Sequence, residues 1–144
     1  MNILIAGDHA GFEYKTELIE WLSKQGHTMI DLGPSSKESC DYPDYAHEVG
    51  YTLRNKAADI GILICGSGNG VSMTANRYKT VRAALCWKAE LAELARKHGN
   101  ANVLSLPARF ITLDEAKEIV NVFLTTEFEG GRHQVRIDKI DKTR

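Results

Sequence analysis

Gly61-Ile62-Leu63-Ile64-Cys65-Gly66-Ser67-Gly68-Asn69-Gly70 is an apolar run of β character that ends in a cysteine and opens into three glycines at every second position. A strand buried in a parallel sheet reads as such a short apolar run bounded by turn residues. The glycines let backbone N–H groups crowd against an anion without interference from a Cβ. A thiol at the mouth of that nest is placed to be held as thiolate and to act as nucleophile or base. The competing reading of the segment is a buried cysteine followed by a flexible turn.

Outward from this stretch, strands alternate with amphipathic helices. Ile3 to Ala6 predicts the first strand, ending in Gly7-Asp8-His9-Ala10-Gly11; Leu18, Ile19 and Leu22 then have helical spacing, with Gly26 as C-cap. Thr28 to Leu32 predicts strand two. The polar stretch from Gly33 to Pro43 exceeds the usual connection length, which marks it as a functional loop. A helix follows from about Tyr45 to Arg54, then strand three from Asp59 to Cys65, and a helix from the nest to about Tyr78. Val81 to Leu85, a helix from Glu90 to His98, and Asn102 to Leu106 continue the alternation. Thr112-Leu113-Asp114-Glu115 is a capping box, with Ala116, Ile119, Val120 and Phe123 on the apolar face behind it. A polar helix from Arg132 to about Lys142 closes the chain. The pattern predicts one α/β domain over residues 1–144: a doubly wound five-stranded parallel sheet flanked by helices, a Rossmann-like α/β/α sandwich, with a C-terminal helical arm. Ligands of such sheets bind at the carboxyl ends of the strands, where Asp8, His9, Cys65 to Gly70 and the loop after strand two all fall.

The 144 residues are 43% hydrophobic and 26% charged, with a net charge of −1 and a pI near 6.5. No basic stripe for nucleic acid or a membrane surface is implied, so cations that meet an anionic ligand must be concentrated locally. No apolar run approaches the roughly 20 residues of a membrane span, and the N-terminal Met1-Asn2-Ile3-Leu4-Ile5-Ala6 reads as a strand, not a signal peptide. Cys40, Cys65 and Cys86 are odd in number and widely spaced, which excludes the usual zinc frameworks and suits reduced thiols in a cytoplasmic protein.

The glycine segment is not a dinucleotide fingerprint: position 71 is Val, and no acidic residue closes the next strand, where Ala84-Leu85-Cys86 stands. A P-loop lysine is missing as well. A smaller oxyanion fits better, such as an enolate or alkoxide developing beside backbone N–H groups. Cys65 then reads as a carbon-acid base whose thiolate the local dipole favours, and Ser67 as a hydroxyl that hands protons between adjacent sugar oxygens. His98 closes a helix, where it either complements the helix dipole or serves as a general acid near neutral pH. His9 directly follows Asp8 at the ligand edge. His27, His47 and His133 have no metal-like spacing, and no metal is expected. Arg132 and Arg136 share a face of the last helix, either as a solvated pair or as a paired grip on phosphate, with Arg109 as a third candidate.

These pieces resemble the ribose-5-phosphate isomerase B family, which includes galactose- and allose-6-phosphate isomerases. The resemblance is carried by Gly7-Asp8-His9-Ala10-Gly11-Phe12, Asp41-Tyr42-Pro43-Asp44-Tyr45-Ala46, the Cys65 to Gly70 segment, Ala75-Asn76-Arg77, Arg82-Ala83-Ala84 and Glu129-Gly130-Gly131-Arg132-His133-Gln134 with Arg136. It implies an aldose–ketose isomerase without cofactor or metal, acting on a small phosphorylated sugar and passing through an enediol. It implies Cys65 as proton acceptor, His98 as the acid that assists ring opening, and Ser67 near the reacting oxygens. Asp8, His9, Tyr42 and the backbone of Gly66, Ser67, Gly68, Asn69 and Gly70 would hold substrate, while Arg109, Arg132 and Arg136 would grip phosphate. It also implies a homodimer with shared sites, with a tetramer as the larger alternative. Where the family has Asn after the acid histidine, this chain has Gly99 and then Asn100, both tolerant of the left-handed conformation that ends a helix; that substrate contact is lost or passes to Asn100. Ribose 5-phosphate is the expected substrate. A hexose 6-phosphate isomerase and a non-catalytic phosphosugar- or nucleotide-binding module are the alternatives.

Overall fold

Apolar residues run unbroken through the central strands because both faces of the sheet are covered. The computed structural model describes residues 1–142, with strands β1 (Asn2–Gly7), β2 (Thr28–Asp31), β3 (Ile60–Cys65), β4 (Ala83–Leu85) and β5 (Val103–Pro107). The helices are α1 (Phe12–Lys24), α2 (Tyr42–Arg54), α3 (Asn69–Ala75), α4 (Ala89–Gly99), α5 (Leu113–Thr125) and α6 (Arg132–Ile140). The strands lie in the order β2-β1-β3-β5-β4 and every neighbouring pair is parallel. Side chains alternate between faces. Ile3, Ile5, Ile62, Ile64, Leu104 and Leu106 pack with Leu18, Ile119 and Phe123 on one side. Leu4, Ala6, Leu63 and Cys65 pack with Ala46, Val49 and Val71 on the other. That alternation sends Cys65 to the side of α2 and α3.

The chain leaves β1 for β2 on one side and returns to β3 on the other, so a crevice opens between the carboxyl ends of β1 and β3. The two ends are held together through one carbonyl. Asp8 N–H donates to the Ile64 oxygen at 3.1 Å, and a side chain at either Gly7 or Gly11 would overlap that same oxygen. Gly68, at φ 76°, makes the left-handed turn that starts α3, and a Cβ there would overlap Leu85.

Lys15, on an otherwise amphipathic helix, is only 1% exposed. Its Nζ donates to both Asp31 carboxylate oxygens (2.7 and 2.9 Å) and to the Pro34 carbonyl (2.8 Å), so all three of its protons are placed. The loop that follows β2 is fastened further by Gly7 N–H to Gly33 O at 3.1 Å and by Cys40 N–H to His9 Nδ1 at 3.3 Å.

The expected elements are all present with shifted ends. α2 begins at Tyr42, taking Pro43 into its first turn, where a missing N–H costs nothing. α3 stops at Ala75 and does not reach Tyr78: Asn76 leaves the helix to hold β4, its amide bonding Ala83 N and O at 2.7 and 3.0 Å. β4 starts at Ala83 because Arg82 N–H is taken by the Asn102 side chain at 2.8 Å. The capping box forms as expected, and α6 ends at Ile140.

Replacing Gly7 by Ala is expected to lower stability by about 1–3 kcal/mol, because the new methyl must displace β3 backbone instead of a flexible side chain. Urea denaturation of the variant against wild type measures this, and an unchanged midpoint contradicts the close approach.

Candidate active site

At the carboxyl edge of the sheet, β3 delivers Cys65 with its sulfur facing backbone: Gly68 N–H donates to Sγ at 3.1 Å. Cys65 is 4% exposed. An N–H aimed at sulfur is placed to support negative charge on it. The Ser67 hydroxyl accepts from Asn69 N–H at 3.3 Å, while the amides of Gly66, Ser67 and Gly70 donate to no acceptor among the described residues. Unpaired amides gathered beside a sulfur form a site for a small anion.

Three further groups close around this nest. Asp8 lies 8% exposed after β1, and its Oδ1 accepts from Ala10 and Gly11 at 2.9 and 3.2 Å, so part of its role is to shape the turn. His9 lies beside it, tied to the β2 loop through Cys40. The Tyr42 ring packs directly on Gly70, and the Arg109 side chain lies over Gly66, about 3.2 Å from where a Cβ would stand. Arg109 is fixed through its backbone, with Ala108 and Arg109 N–H donating to Cys65 and Gly66 carbonyls at 2.9 and 3.1 Å. Ser67 and Asn69 also line a cavity of about 320 Å³ with Trp87, Pro107 and Phe110.

The other expected site residues lie elsewhere. α4 runs back along the sheet, so His98, Gly99 and Asn100 arrive just before β5, at the level where Asn102 O accepts from Gly61 N–H. Cys65 pairs with Pro107 and Gly61 with Val103. At about 3.3 Å per residue, the two ends of β5 are roughly 13 Å apart. Arg132 and Arg136 are exposed on α6 at this same far edge, where Asp141, just past the end of α6, accepts from Thr80 N–H at 3.0 Å. Of the three candidate arginines, one chain therefore brings only Arg109 to Cys65.

Asn100, at φ 43°, takes the left-handed position that ends α4, while Gly99 remains helical. The Asn100 side chain accepts from Arg96 Nη1 at 2.9 Å, so its oxygen is engaged within the chain. Arg82, which in sequence stands out only within Arg82-Ala83-Ala84, holds this corner by donating to the Gly99 and Asn100 carbonyls at 2.9 to 3.1 Å.

His98 is stacked on His133, with ring centroids 4.3 Å apart and planes 13° from parallel. Glu129 Oε2 stands 3.6 Å from His133 Nε2 and 4.0 Å from His98 Nε2. The three donor atoms lie within 4.8 Å of one another, a grouping that the wide sequence spacing concealed. Nearly parallel ring planes send their in-plane lone pairs side by side and not toward one point, which suits a shared proton better than a metal ion. Burial, then the positive charge of His98 and Arg132, holds the His133 imidazole below the ordinary histidine range, with Glu129 opposing. Cys40, Cys65 and Cys86 are all free; burial pushes the Cys86 thiol up to about 12, which leaves it protonated and unreactive.

The chain matches the Ribose/Galactose Isomerase family over residues 3–140. It is 42% identical over 139 residues to the ribose-5-phosphate isomerase B of Escherichia coli, covering 96% of this chain and 93% of that one. A ribose 5-phosphate isomerase structure from Thermotoga maritima is similar at a TM-score of 0.96 and 50% identity, covering 99% and 98% of the two chains. The Mycoplasma genitalium ribose-5-phosphate isomerase B, solved with bound ribulose 5-phosphate, is similar at a TM-score of 0.94 and 49% identity, covering 96% and 93%.

The lowered His133 value has a consequence for stability. Above the ordinary value of 6.5 the ring is neutral in folded and unfolded chains alike. Below it the unfolded chain takes up the proton first, so folding stability falls as pH drops through the folded value. Urea midpoints at about pH 7.5 and about pH 5.5 are expected to differ more in wild type than in His133→Gln. Equal differences contradict the assignment.

Proposed function

Because this chain belongs to the ribose/galactose isomerase family, we propose that it interconverts ribose 5-phosphate and ribulose 5-phosphate by proton transfer at Cys65. The observation that carries this reading is the Cys65 sulfur facing the Gly68 amide beside three amides that have no partner among the described residues. Ring opening comes first: His98 gives a proton to the ring oxygen while the anomeric hydroxyl releases its own to solvent, from which His98 is recharged. The Cys65 thiolate then takes the proton from C2 of the open aldose, and the electron pair moves onto O1, where the Gly66, Ser67 and Gly70 amides hold the negative charge. Ser67 carries a proton between O2 and O1, and Cys65 returns its proton to C1 to give the ketose. Nothing is oxidised or reduced overall. Arg109, Arg132 and Arg136 grip the phosphate, whose binding energy orients the reacting carbons.

One chain holds Cys65 and His98 at opposite sheet edges, so the working unit we infer is a homodimer in which each site joins the Cys65 edge of one copy to the His98–α6 edge of its partner. The α6 surface supports this: Val135 is 57% exposed beside Arg132 and Arg136, an apolar residue set among two cations. The free cysteines fit a cytoplasmic setting, and no helix among the described residues is long and apolar enough to cross a membrane.

Two inactive variants test the shared site together. Cys65→Ala and His98→Ala are each expected to lose turnover by on the order of 10²–10⁴ while phosphosugar binding survives. Mixed and allowed to exchange subunits, they are expected to regain about a quarter of wild-type activity, since half the dimers carry one intact site. Absence of recovery in verified mixed dimers overturns the shared site, and normal turnover in Cys65→Ala overturns the thiol mechanism. Arg136→Ala is expected to raise KM for ribose 5-phosphate with kcat little changed; an unaltered KM removes it from the phosphate grip. Assays on ribose, allose and galactose phosphates in parallel decide the sugar.

A further inference from the structure

We propose that Glu129 and His133 are positioning residues for His98, holding its imidazole flat and keeping on it the single proton that the stacked pair can carry. The inference rests on reading His98 as the ring-opening acid. Three separate elements converge to build the trio: the last turn of α4 supplies His98, the segment between α5 and α6 supplies Glu129, and the first turn of α6 supplies His133. Backbone fixes the meeting point, with Glu129 N–H donating to the Lys97 carbonyl at 3.1 Å and His133 N–H to that of Gly130 at 3.2 Å. A histidine that only complemented a helix end would need none of this.

The two rings differ in access: the side chain of His98 is 47% exposed and that of His133 is 8% exposed. Stacked at 4.3 Å, both cannot be imidazolium without like charges face to face. The charged groups around them are the Glu93–Lys97 ion pair on α4, Glu129 from the connecting segment, and Arg132 and Arg136 from α6. With Glu93 taken up by Lys97, Glu129 is the one carboxylate that faces the rings, against two arginines, which leaves no partner for a second ring proton. Burial disfavours a charge on His133, so the exposed outer ring is the one of the pair from which a sugar oxygen can receive a proton. Glu129, at the Nε2 edge of both rings, holds it there and fixes which nitrogen faces outward.

The test is steady-state kinetics with ribose 5-phosphate across about pH 5.5 to 9 on Glu129→Gln, His133→Ala and His133→Phe, with His98→Ala as reference. For Glu129→Gln, kcat is expected to fall about tenfold, with KM within about twofold and the alkaline loss of activity moved to lower pH. His133→Ala is expected to fall comparably in kcat, and His133→Phe to recover most of that loss, because a flat ring suffices as platform. NMR titration of the His98 Cε1 proton, assigned by its disappearance in His98→Ala, gives a readout apart from turnover; its midpoint is expected to fall in Glu129→Gln. Unchanged kcat and titration in Glu129→Gln, a His133→Phe no better than His133→Ala, or a loss confined to KM each overturns the proposal. Normal turnover in His98→Ala overturns the underlying acid assignment as well. A dead His98→Ala beside a normal Glu129→Gln sinks the positioning roles alone.

Discussion

The carbonyl of Ile64 is the point from which the chemistry of this chain is organised. It accepts the amide of Asp8, and the glycines at 7 and 11 lie so close to it that no side chain fits. β1 and β3 are thereby brought to a common end, with Asp8 and His9 on one side of the crevice and Cys65 on the other. Ile64 and Cys65 are consecutive, so the contact that closes the turn after β1 also fixes the backbone from which the sulfur projects. Moving β3 by one residue would send Cys65 to the opposite face, among the isoleucines and leucines packed against α1 and α5.

The molecule divides its chemistry between two edges. The carboxyl edge offers amides, a thiol, a carboxylate and one arginine; the opposite edge offers a histidine pair, a glutamate and two arginines. Neither edge alone matches a phosphorylated sugar, which needs a base, an oxyanion site and cations at its far end. Joining the edges of two copies, as we propose, would satisfy that list without a net positive chain, since cations are concentrated where α6 lies. The corner that bears His98 is stiffened by Arg82, whose guanidinium gathers the last carbonyls of α4.

Much of this was legible in the residues. The β3 run with its glycines announces both a doubly covered strand and an anion nest, and the capping box before α5 needs only a four-residue window. The end of α3 and the start of β4 were less legible, because Asn76 and Asn102 bond to β4 and its flank in preference to continuing local structure. The stacking of His98 on His133 joins positions far apart in the chain through the return of α6, which no local pattern encodes. Lys15 was invisible for another reason: a lysine on an amphipathic helix reads as solvated, and only the fold brings Asp31 and Pro34 to its ammonium.

That ammonium also bears on how the crevice chooses its guest. With its protons committed to Asp31 and Pro34, it anchors the β2 loop to the interior of α1, while His9 fastens the same loop farther along. A wall secured from within meets each arriving molecule already in shape, so no ordering entropy is spent on it at every encounter. If the sugar binds in this crevice as we propose, selection at the rim would act by excluding what is too large for a wall that does not yield.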